Sequence, residues 1–199
     1  MTPAERLALA GIFQAAATYA PVVIIYGNHD MPGDLDIFAR LEADFPIRVL
    51  KTERLHLPDL GAMIVGVSWT PRTNWVKPGE EDSPEAEYEL ARTRLNVWVW
   101  ACLKDFDGTK VVLAHFPVNG GKIGDFEIPS GQDITPTAAD LDAWGADYIG
   151  LGHFHERQRV AERAWYPGSF AALSHSETQT DKGFLLVDLV RKPMRRRVV

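Results

Sequence analysis

Apolar residues fall along this chain in two patterns: short unbroken runs, and longer stretches where they recur every three or four positions. The first run, Val22 to Tyr26, has no polar interruption, which predicts a strand covered on both faces. "GAMIVGVSW", "KVVLAHFP" and "DYIGLGHFH" predict further buried strands, and "GFLLVDLV" a last one. "IRVLK" and "ERLHL" read as short strands, and "RQRV" with "RAWYPGS" as a hairpin.

The helices announce themselves by their caps. Thr2, Pro3 and Glu5 form a capping box with proline at the first helical position. Leu9, Ile12, Phe13, Ala16 and Ala17 then share one face, and the helix ends near Tyr19. "GDLDIFARLEADF" reads as a second helix. Ser83 and Pro84 open a long one running to about Asp105, with Tyr88, Ala91, Leu95, Trp98 and Cys102 as its stripe. Thr137, with Asp140 three residues on, opens a short one that Gly145 stops. "TPRTNWVKPGEED" and "VNGGKIGDFEIPSGQDI" are loops. Residues 1–199 show no repeat and no linker, so they read as a single α/β domain. Later strands lack intervening helices, which favours mixed or packed sheets flanked by helices over one parallel sheet.

Composition narrows the class. Of 199 residues, 46% are hydrophobic and 24% charged, a globular balance. One cysteine, Cys102, rules out an internal disulfide. No apolar run is long enough to span a membrane, and no secretory h-region opens the chain, so it reads as cytoplasmic. A net charge of −6 gives no global basic field for nucleic acid. The one basic cluster, "RKPMRRR" from Arg191 to Arg197, reads as a solvated tail.

Chemistry concentrates at strand ends. Gly27-Asn28-His29-Asp30, His115 and Gly152-His153-Phe154-His155 each follow a buried strand, where open α/β sheets bind ligands. Imidazole nitrogens and an amide oxygen suit Mn²⁺, Fe²⁺ and Zn²⁺. In extended backbone His153 and His155 point to one side, and Gly150 and Gly152 let the chain approach closely. Taken alone, His115 reads more readily as a hydrogen-bonded core histidine than as a ligand, and Asn28 and Asp30 are common turn residues. The three clusters together point to a metal centre. His56 and His175 follow no buried strand and read as structural.

These blocks, G-N-H-D, a single His and G-H-x-H, resemble the calcineurin-like metallophosphoesterase superfamily. "ADYIGLGHFH", "YPGSFAALSHSE" and "KGFLLVDL" resemble, within it, the SbcD-type nucleases of DNA repair, which partner SbcC-type ATPases. The resemblance implies a four-layer α/β/β/α sandwich with mixed sheets. It implies two divalent metals, Mn²⁺ foremost with Fe²⁺, Zn²⁺ or Mg²⁺ as alternatives. Asn28, His115 and His153 would hold one, and His155 would contribute to the other. His29 would be the catalytic acid that protonates the leaving oxygen, and Asp30 would orient the turn.

The family pattern also holds D-x-H and G-D-x-x-D blocks on two earlier strands, ahead of G-N-H-D. Neither motif occurs in these residues, so the expectation is the sandwich without its first strands and with a binuclear site short of carboxylates. The family's capping domain and ATPase-docking segment would follow the last strand, and neither is expected here. A fragment, one half of a split enzyme whose missing strands come from a second chain or copy, and a degenerate protein all fit. Three functions follow: a DNA exonuclease or endonuclease, a phosphoesterase on small esters or cyclic nucleotides, and an impaired module that binds nucleic acid or a partner.

Overall fold

The structure is a computed structural model that describes residues 2–123, 126–127, 133–172, 182–189 and 195–198. His175, part of "YPGSFAALSHSE" and Arg191 of the basic cluster lie outside the described residues.

Helix α1, Pro3–Ala16, starts at the capping box: Glu5 N–H donates to Thr2 Oγ1 and Thr2 N–H to Glu5 Oε2. It packs Leu9, Ala10 and Phe13 against a small parallel sheet of β1, Val22–Ile25, and β2, Ile47–Leu50. Ala17, Tyr26, Leu35, Phe38 and Ile47 close this first core. Ile12, expected on the inward face, is 60% exposed, because the inward line runs through Leu9, Phe13 and Ala17. β1 is half-buried throughout: among the described residues only one of its edges is hydrogen-bonded, to β2.

The stretch "GDLDIFARLEADF" is not a helix but a series of turns with one 3₁₀ turn, Phe38–Arg40. Its aspartates are drawn elsewhere. Asp34 pairs with Arg6 at 2.9 Å and Asp36 accepts from Tyr26 Oη at 2.7 Å. Side-chain bonding of this kind competes with helix formation.

The second sheet has six strands. They are β3, Thr52–Leu57; β4, Ala62–Val67; β5, Thr109–His115; β8, Tyr148–Gly152; β9, Gln158–Arg159; and β10, Ala164–Tyr166, in the order β3-β4-β5-β8-β10-β9. The four inner strands are parallel, with β3 and β9 antiparallel at the edges. Two short antiparallel pairs complete the strands: β6, Lys122–Ile123, with β7, Phe126–Glu127, and β11, Leu185–Asp188, with β12, Arg195–Val198. Helix α2, Pro84–Leu103, capped by Ser83, buries Ala91, Leu95, Val99 and Leu103 in the main core. Three of the five residues of the expected stripe, Tyr88, Trp98 and Cys102, flank that line and are half-buried. Helix α3, Ala138–Ala143, opens on the Thr137–Asp140 capping box and ends before Gly145 at φ +72°.

Alternation sets the layers. On β4, Val65 and Val67 face the core that α2 covers, while a β-carbon on Gly66 would lie 2.6 Å from Leu50 of β2. On β1 and β2, Val22, Ile24, Ile47 and Val49 face α1, so Leu50 faces the other way. The order is therefore α1, small sheet, six-stranded sheet, α2 with α3, which is a mixed α/β/β/α sandwich. Among the described residues no helix is long and apolar enough to cross a membrane.

Candidate metal centre

Register brings the strand ends together. β5 and β8 pair with His115 opposite Gly152, so His153 follows at the very end of the ladder. Beyond β4, Ser68 Oγ accepts from Tyr26 N–H and donates to the Leu50 carbonyl, both at 2.8 Å. Trp69 N–H donates to the Tyr26 carbonyl at 3.0 Å. These bonds fasten the end of β1 to the end of β4. The turn after β1 is closed by Asp30, whose Oδ2 accepts from Gly27 N–H at 2.7 Å.

Asn28 consequently reaches His115, and its Oδ1 accepts from His115 Nε2–H at 3.0 Å. Two glycines make room for that ring. A β-carbon on Gly27 would lie 2.8 Å from His115 Cε1, and one on Gly152 would lie 2.5 Å from His115 Nδ1. His153 stands edge-on to the same ring, with centroids 5.6 Å apart and planes at 90°. Its backbone sits at φ +107°, and it is the one non-glycine residue with positive φ among the described residues. Its Nδ1 is buried and has no hydrogen-bond partner. Backbone strain beneath an unpaired buried nitrogen is costly, and such features cluster where a site needs them.

Both imidazoles are held neutral. Burial pushes His115 down to about 4, and the neighbouring His153, His29 and His155 add to the shift. Burial also lowers His153, with His155 and His29 adding to it and Asp133 opposing. A neutral imidazole is the form that binds a metal. His29 and His155 are exposed, each close enough for its charge to act on both buried rings. His56 stands apart on β3, edge-on to Phe106 at 5.3 Å.

Sequence reasoning missed Asp133, Ser169 and Lys182. Asp133 Oδ1 accepts from Trp69 Nε1–H at 3.3 Å, and its carboxylate is the negative charge that acts on His153. The carried-over ligand set had no acidic group near it, and nothing in "SGQDI" singles this residue out. Ser169 and Lys182 meet the backbone of His155.

The donor chemistry fits a divalent transition ion. Among the described residues no three His, Cys, Asp or Glu side chains form a group able to hold a metal. The set that fits is mixed: the Asn28 amide oxygen with His115 and His153, the last offering its unpaired Nδ1.

The calcineurin-like phosphoesterase family matches residues 4–157. A curated relative, the SbcD subunit of nuclease SbcCD from Bacillus subtilis (strain 168), is 31% identical over 185 residues. The match takes in 84% of this chain and 46% of that protein, so the chain spans about half the length of this relative. Because the matched span holds all three strand-end clusters, the chain belongs to the calcineurin-like phosphoesterase family of hydrolases.

Proposed function

We propose that this chain is a metal-dependent phosphodiester hydrolase that acts on DNA, in the manner of the SbcD-type nucleases. The observation that carries this reading is the meeting of Asn28 and His115 beside the unpaired Nδ1 of His153. Three separate strands deliver these groups to one edge of the sandwich, where both imidazoles are uncharged.

In this reading Asn28, His115 and His153 hold one divalent ion, Mn²⁺ foremost, and His155 contributes to a second. Such an ion polarises a phosphoryl oxygen when bound. The chain's own residues do the rest. Gly27 and Gly152 seat the His115 ring, and Asp30 fixes the turn that carries Asn28 and His29. His29, exposed at that turn, faces outward where a phosphodiester docks and gives its proton to the leaving oxygen. Asp133 supplies negative charge near His153. The reading places the protein in the cytoplasm, with an SbcC-type ATPase as partner.

The test is Mn²⁺-dependent cleavage of linear DNA and of bis-p-nitrophenyl phosphate by the wild-type chain and His29→Ala. DNA cleavage that falls by about 10²–10⁴-fold in the variant is the expected result. Cleavage of the small ester alone would replace DNA with a small phosphodiester as substrate. No cleavage with no bound metal would leave a binding module.

A further inference from the structure

Phe154, the middle residue of G-H-x-H, is 3% exposed, whereas His155 beside it stands in water. Its ring lies against the His153 imidazole, with centroids 5.2 Å apart and planes at 53°. The same ring packs on Tyr166, with centroids 4.6 Å apart and planes at 36°. Tyr166 is fully buried, and its hydroxyl donates to the Phe116 carbonyl at 2.7 Å, which pins it in place. The loop after His115 also reaches Phe154. It arrives at Gly121, where a β-carbon would overlap Phe154 Cε2.

The His153 imidazole needs support of this kind. The torsion that turns an imidazole about its Cβ–Cγ bond is broad, so a rotamer alone does not fix the ring plane. Nδ1, the nitrogen His153 offers to the ion, is buried and has no hydrogen-bond partner to steady it. Two rings flank the imidazole among the described residues: His115, edge-on at 5.6 Å, and Phe154. His115 is tied in turn to Asn28. Phe154 is the flank that belongs to neither the ligand set nor the acid. Burial of so large an apolar side chain directly after His153 also offsets the strain of its φ of +107°.

We propose that Phe154 is a positioning residue of the metal centre: held between Tyr166 and Gly121, its ring keeps the His153 imidazole edge-on to His115. Phe154 itself touches neither metal nor substrate. The inference rests on the metal reading above and gives the unspecified position of the H-x-H motif a task in this chain.

Calorimetric Mn²⁺ binding tests it, with circular dichroism to verify that each variant is folded. Phe154→Leu keeps the site apolar but removes the ring, and it should weaken Mn²⁺ binding about tenfold. Gly121→Ala keeps Phe154 but drives a methyl into its ring, so binding should weaken in the same direction. Gly121 is not at positive φ, so the overlap and not the backbone decides that effect. Val99→Ala, which opens a cavity beneath α2, should lose stability and still bind Mn²⁺ as the wild type does. Gly121→Ala serves as the test if Phe154→Leu does not fold. Wild-type affinity in Phe154→Leu, or in Gly121→Ala where that stands in for it, would overturn the positioning role alone. So would an equal fall of affinity in Val99→Ala, since the effect would then follow stability. A wild-type chain that binds no Mn²⁺ would overturn the metal reading and the positioning role with it.

Discussion

His153 adopts φ +107°, where a β-carbon crowds the backbone and only glycine is at ease. Elsewhere in a fold alanine is favoured over glycine, since glycine loses more freedom on folding. Here the order should reverse: His153→Gly should be more stable than His153→Ala by about 1 kcal/mol, measured by urea unfolding. Alanine proving the more stable would mean that the backbone carries no strain. Gly152 makes the complementary case. Gly152→Ala would drive a methyl into His115 Nδ1, push the ring off Asn28, and cost roughly 1–3 kcal/mol together with metal affinity. Calorimetric Mn²⁺ binding should weaken in parallel with the fall in stability. Both residues could be picked out in the sequence, because glycine and histidine directly after an apolar run are a local signal. The φ of His153 was not legible, nor were Asp133 and Lys182. Their partners, Trp69 and the His155 carbonyl, lie 64 and 27 residues away, and no spacing rule connects them.

Helix caps were legible for the same local reason: Thr2, Ser83 and Thr137 each bond within three residues of themselves. The stretch around Asp34 and Asp36 was misread because Arg6 and Tyr26, which capture those aspartates, are distant in sequence. Between elements, Asp140 joins α3 to α2. It accepts from Arg92 at 2.6 Å and from Asn96 at 2.8 Å, while Trp144 Nε1–H donates to Asn96 at 3.0 Å. Burial pulls the Asp140 carboxyl up, but hydrogen bonds from Thr137 and the Arg92 guanidinium outweigh it and hold it below its ordinary 3.8. A depressed carboxyl contributes stability that is present above its unfolded pKa and lost as pH falls through its folded one. Asp140→Asn should therefore destabilise the chain at pH 7 and flatten its loss of stability below about pH 4, as followed by acid titration of circular dichroism. A second tie runs from β10 to the segment just after His115. Tyr166 Oη–H donates to the Phe116 carbonyl at 2.7 Å, fully buried. Tyr166→Phe leaves that carbonyl unpaired and should cost about 1–3 kcal/mol in urea unfolding.

At the scale of the whole molecule the two sheets are unequal. The six-stranded sheet has a continuous core under α2 and α3, whereas the small sheet offers β1 with one side hydrogen-bonded among the described residues. The class of fold was legible because buried strands and capped helices alternate along the chain. The open edge of β1 was not, because an apolar run speaks for the two faces of a strand and not for its edges. α1 adds to the exposed apolar surface with Leu7 at 76% and Ile12 at 60%. A strand edge with free backbone groups is a template for pairing with another chain, and exposed apolar side chains beside such an edge strengthen the contact. The chain should accordingly self-associate as its concentration rises, seen by sedimentation velocity. The double variant Leu7→Glu, Ile12→Glu should weaken that association while changing monomer stability by no more than about 0.5 kcal/mol per site, because both side chains already stand in water. Association unchanged in the variant would locate the contact at the β1 edge itself. A wild-type chain that stays monomeric at every concentration would show that neither surface is available.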